Sequence, residues 1–109
     1  MMNVITNNNL KCKEVLAALQ NVIDPEIGLN VVDLGVIYQI DFDEIERKLF
    51  CAMTLTTQFC PMGESITDAV KETLKSTFAD YDAAIELTFD PPWSNEMISA
   101  KGHEFLKEQ

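Results

Sequence analysis

Basic side chains are scarce in this sequence: eight Lys and Arg stand against eighteen Asp and Glu, a formal charge of −10. Such a surface repels phosphate backbones and anionic lipid heads, so neither nucleic acid nor a membrane is an expected partner. Long apolar runs are missing too, and no stretch approaches the roughly 18 residues that a membrane-spanning helix needs. Histidine occurs once, as His103, and no Cys-x-x-Cys pair exists, which excludes a self-contained structural zinc site. The three cysteines, Cys12, Cys51 and Cys60, are an odd number without a disulfide-like pattern and point to a reducing cytoplasm. The polar segment 1–9 has neither the basic nor the apolar region of a signal peptide and reads as a lead-in to one domain over residues 10–109.

What is present is an ordinary globular pattern, 47% hydrophobic. Leu10 to Ile23 reads as a helix, with Val15, Leu16, Leu19, Val22 and Ile23 as its apolar stripe, Asn8 or Asn9 as cap and Asp24-Pro25 as its stop. The apolar loop Glu26 to Asp33 should lie over the core. Leu34 to Phe42 alternates as a strand, with Val36, Tyr38, Ile40 and Phe42 on one face. After an acidic turn, Lys48 to Thr56 returns with Leu49, Cys51, Met53 and Leu55 inward, which makes Cys51 a core filler. A second helix spans about Pro61 to Ala79, and Ala83 to Phe89 is a third strand with Ile85, Leu87 and Phe89 inward. Asp90-Pro91-Pro92 ends that strand. Ser94 caps a short helix, Gly102 interrupts it, and a last turn surrounds Phe105 and Leu106. The α-β-β-α-β-α order predicts an α+β two-layer sandwich, a small three-stranded mixed sheet with helices on one face.

The stretch Thr54 to Gly63 joins a strand to a helix. Pro61 suits the first helical position, which puts Cys60 at or near the N-cap. There a sulfur meets backbone N–H groups and the positive end of the helix dipole, and is pushed toward thiolate. Packing as a small hydrophobe is the competing role. Gly63 leaves room beside the sulfur. The topology also brings three irregular segments to one end of the sheet, so that Asp24, Glu26, Asp33, Cys60 and Trp93 are expected around one concavity.

Those segments carry a resemblance. Asp24-Pro25-Glu26-Ile27 with Val31-Val32-Asp33-Leu34-Gly35-Val36-Ile37-Tyr38, then Met53-Thr54-Leu55-Thr56 with Cys60-Pro61, then Phe89-Asp90-Pro91-Pro92-Trp93-Ser94 with Met97-Ile98-Ser99, resemble the PaaD/SufT-like iron–sulfur cluster assembly domain family over about residues 11 to 108. The family's motif residues fall on Asp24, Glu26, Asp33, Thr54, Thr56, Cys60 and Trp93; Thr57-Gln58-Phe59 departs from the small residues usual before the cysteine. The resemblance implies a cytoplasmic, non-enzymatic factor that assembles, carries or transfers iron–sulfur clusters, with Cys60 as the key thiol. Its partners would be assembly scaffolds, carriers and client apoproteins.

One thiolate cannot hold a cluster, which commonly needs four Cys-type ligands. Cys60 would supply one ligand while a client or a second subunit, as in a homodimer, supplies the rest; a cluster so held is transient rather than tightly bound. Asp24, Glu26 and Asp33 could attract iron or a partner's basic groups, although carboxylates are hard ligands. Thr54 and Thr56 would be hydrogen-bond donors near the sulfur, or plain strand residues. Two other functions fit the same residues: a metal-free adaptor docking through Trp93 and the apolar loop, and a cysteine-dependent enzyme assisted by an acid such as Glu26.

Overall fold

The computed structural model describes residues 4–56 and 63–107. Its elements run β1 (Ile5–Thr6), α1 (Asn9–Leu19), α2 (Val31–Leu34), β2 (Ile37–Asp43), β3 (Lys48–Met53), α3 (Gly63–Thr77), β4 (Asp82–Leu87), a 3₁₀ turn (Asn95–Met97) and α4 (Ala100–Lys107). The sheet order is β1-β2-β3-β4, with β2 and β3 antiparallel and both outer pairs parallel. The α+β sandwich is as expected, but the sheet has four strands rather than three.

The extra strand comes from the polar lead-in. Ile5 and Thr6 are too few to show a period in sequence, and their pairing is extended by a side chain. The Asn7 amide donates to the Phe42 carbonyl and accepts from the Phe42 N–H, both at 2.9 Å. An Asn side chain offers the same donor and acceptor as a peptide group.

Helix α1 begins as its sequence suggests, with Asn8 Oδ1 accepting the Lys11 N–H at 3.1 Å. It ends at Leu19, well before Pro25. The backbone beyond it is drawn into a small antiparallel closure instead: Ile23 pairs with Asn30, and the Val31 N–H bonds the Val22 carbonyl at 3.0 Å. Ile23 therefore leaves the apolar stripe and is exposed, whereas Val15, Leu19 and Val22 are buried. Leu29 and Val31 of the following loop are buried as well, covering the core.

Strand β2 does not keep strict alternation. A bulge lies between Ile37 and Gln39, which face successive residues Met53 and Ala52. Tyr38 is the extra residue. As a result Ile37, Ile40 and Phe42 share the helix-covered face, and Tyr38 does not. Burying each large aliphatic side chain is worth about 1.5–3 kcal/mol, against a net ~1 kcal/mol for a ladder hydrogen bond, so the bulge follows the core. Strand β3 alternates as expected, with Leu49, Cys51, Met53 and Leu55 buried beneath Ile66, Val70 and Leu74 of α3. In β4, Ala83 is buried, yet Leu87 is exposed, because among the described residues no strand lies on the outer side of this edge strand.

Gly102 does not interrupt a helix. It lies inside α4, where a Cβ would stand 2.7 Å from Ile98 Cγ2 and 2.9 Å from Leu29 Cδ2. Close packing, not chain reversal, explains it. At the opposite end of the sheet from the candidate site, Phe42, Phe78 and Tyr81 stack edge to face at 5.3–5.8 Å. Lys11 lies over Tyr81 and pairs with Glu44, closing that end.

Candidate functional site

Backbone bonds tie the start of β2 to the ends of β3 and β4. The Thr54 N–H reaches the Val36 carbonyl, and the Thr88 N–H the Met53 carbonyl, each at 2.9 Å. Trp93 folds back over this end, half-buried, and its Nε1–H donates to the Leu34 carbonyl at 2.6 Å. Gly35, at φ +78°, ends α2 in the left-handed region and packs against the Met97 backbone. The segments containing Asp33, Thr54 and Trp93 thus meet at one end of the sheet.

Asp33 is buried and fully engaged. Its Oδ1 accepts from the Ser99 hydroxyl at 2.8 Å, its Oδ2 from the Asn30 amide at 2.7 Å, and its own N–H bonds Asn30 Oδ1 at 2.9 Å. The Asn30-Val31-Val32-Asp33 spacing is a capping pattern readable in sequence. Ser99, sixty-six residues away, carries no such local sign. Asp24 is also buried, and its Oδ1 accepts the Glu26 N–H at 2.8 Å, holding the turn before α2. Glu26 itself is exposed. This turn lies beside the start of α3, with a cavity of about 340 Å³ between Pro25 and Ser65-Ile66.

Thr54 is fully buried, and its hydroxyl donates to the Leu55 carbonyl at 3.5 Å. The Tyr38 hydroxyl donates to the Pro91 carbonyl at 2.8 Å. Burial pushes the Tyr38 pKa up, and the nearby Thr54 hydroxyl opposes that. Thr56 is half-buried at the last described position before residue 63. Cys60, Pro61 and the proposed N-cap lie outside the described residues. Gly63 does not leave open space: the Leu55 side chain fills it, 2.6 Å from where a Cβ would stand. That contact brings the first described turn of α3 back to the end of β3, so Thr56 and Gly63 both flank the meeting point of the three segments.

The remaining thiols are poor ligands. Cys12 and Cys51 are buried; burial raises both pKa values, that of Cys51 to about 12. His103 sits exposed on α4. Among the described residues, no three His, Cys, Asp or Glu side chains are grouped to hold a metal ion.

The sequence profile described as "Iron-sulfur cluster assembly protein" matches residues 13–87. The chain belongs to this iron–sulfur cluster assembly family. Within it, the chain is 40% identical over 78 residues to the Fe-S protein maturation auxiliary factor SufT of Staphylococcus aureus (strain USA300), covering 72% of this chain and 88% of that one. It is 34% identical over 87 residues to the Fe-S protein maturation auxiliary factor YitW of Bacillus subtilis (strain 168), covering 80% and 84%. Among solved structures it resembles a domain of unknown function from Bacillus anthracis, with a TM-score of 0.85, 30% identity and coverage of 93% and 95%. A conserved hypothetical protein from Thermotoga maritima aligns with a TM-score of 0.74, 38% identity and coverage of 96% and 97%. The family's α+β fold is therefore that of this chain.

Proposed function

We propose that this protein is a transfer factor for iron–sulfur clusters, with Cys60 taking one coordination position on a cluster that passes between a scaffold or carrier and a client apoprotein. The cluster is cargo rather than a resident group. The observation that carries this is the distribution of ligands. Cys12 and Cys51 are sealed in the core, and no described cluster of side chains could complete a coordination sphere. The partner, or a second copy of the chain, must then supply the other ligands, and incomplete coordination by this chain favours release.

The carboxylates divide by role in this reading. Asp24 and Asp33 hold the two loops in shape through their hydrogen bonds, and any attraction of iron is secondary to that work. Exposed Glu26 is the acid available to a partner's basic group. Thr54 is a buried residue just beyond β3, and Thr56 precedes the cysteine segment in sequence. Trp93 closes the end of the sheet and presents an edge to a docking partner. A reducing cytoplasm suits a working thiol, and no chemical step is assigned to the chain beyond exchange of ligands at Cys60.

The test is anaerobic transfer of a reconstituted cluster from a scaffold to an apoprotein. Cys60→Ser should abolish the chain's contribution while leaving it folded, because a hydroxyl is a poor ligand for a soft metal centre. Full activity in that variant would favour the metal-free adaptor.

A further inference from the structure

Helices α1 and α3 cover one face of the sheet; the other carries a groove of about 550 Å³. Its floor is one register row across all four strands, Ile5–Gln39–Ala52–Glu86. Ala52, the small residue in the middle, makes the trough. Asp90-Pro91 and Glu96-Met97 stand along its wall. We propose that this groove docks an extended segment of a partner protein that carries lysine or arginine interleaved with apolar side chains.

Charge and size select that occupant. Among the described residues, Glu86, Asp90 and Glu96 line the groove, no Lys or Arg does, and none of these acids is in an ion pair. The groove's apolar lining includes Met97, Pro91, Ala52 and Ile5, the last 65% exposed. A cation with apolar neighbours satisfies both sets of groups. A floor spanning four strands is about 14 Å long at ~4.8 Å per strand, enough for about four residues of extended chain. That is longer than a single amine requires. A second copy of the chain, at −10, is repelled. The groove reaches Thr88 and Pro91, at the end of the sheet where the Asp33, Thr54 and Trp93 segments meet. The docking stands whether or not Cys60 carries a cluster.

The test is a ¹⁵N NMR titration of the full chain with a blocked hexapeptide alternating lysine and leucine, with a glutamate–leucine counterpart and spermidine as controls. The lysine peptide should shift the amides of Gln39, Ala52, Glu86, Thr88 and Met97 saturably, and the glutamate peptide should shift none. Because the acids are exposed, Glu86→Gln with Glu96→Gln should leave the fold intact and weaken the lysine peptide about fivefold. Unchanged affinity in that variant, or shifts scattered over other faces, would overturn the proposal. So would equal affinity for spermidine, which reports counter-ion attraction alone. Dilution-dependent shifts of the same amides without peptide would assign the face to a second copy instead.

Discussion

Ser99 and Asp33 grip each other twice: the Ser99 hydroxyl donates to Asp33 Oδ1 and the Ser99 N–H to the Asp33 carbonyl, both at 2.8 Å. Ser99 Oγ also accepts the Gly102 N–H at 3.0 Å, capping α4. The acid thus locks the C-terminal helix onto the loop before β2. Ser99→Ala should cost about 1–2 kcal/mol, the worth of a cap. Asp33→Ala should cost more, about 2–4 kcal/mol, since it strands both Ser99 and Asn30. Urea unfolding of the two variants at an unchanged m-value checks the order, and equal costs would contradict the network.

Two glycines separate backbone strain from packing. Gly28, at φ +83°, has nothing within 4 Å of where a Cβ would stand, whereas Gly35, at φ +78°, would meet Met97 Cβ at 2.8 Å and the Met97 backbone closer still. Gly28→Ala should cost about 1–2 kcal/mol from φ alone. Gly35→Ala should add about 1–3 kcal/mol for overpacking. Thermal melts of both variants measure the difference.

Alkaline pH should weaken the fold through its buried thiols. Burial raises the folded pKa of Cys51 from its ordinary 9.0 to about 12, and raises Cys12 as well. A thiol held protonated in the fold contributes fully below pH 9, and that contribution is lost as pH rises toward 12. The loss from Cys51 should not exceed about 1.4 kcal/mol per pH unit. Urea midpoints between pH 8 and 10.5 should fall more steeply for the native sequence than for Cys51→Ala.

Alkylation should distinguish the three cysteines. Brief iodoacetamide treatment of the native chain near neutral pH should label Cys60 ahead of Cys12 and Cys51, which are buried and held as thiols. Peptide mapping by mass spectrometry reads this directly. Labelling of Cys12 first, with Cys60 untouched, would remove the activated-thiolate argument.

Local periodicity and turn chemistry were enough for the α+β sandwich, for the inward face of β3 with Cys51 in it, and for narrowing the α1 cap to Asn8 or Asn9, of which the structure uses Asn8. Each depends on residues within a few positions of one another, where side-chain spacing and backbone geometry are coupled directly. Element order also anticipated that the segments holding Asp33, Thr54 and Trp93 meet at one end of the sheet, because strand directions place loop ends. Cys60, expected beside them, lies outside the described residues. Other features depended on contacts between residues far apart in the chain. Ile5 and Thr6 become a strand only because β2 offers them an edge, and the Tyr38 bulge exists because Ile37 and Ile40 both have a core to enter. Gly102 reads as a break until Ile98 and Leu29 close on it. The hydrogen-bonding role of Asp33 needed Ser99 to arrive from the far end of the chain, a pairing that packing imposes and no local pattern encodes.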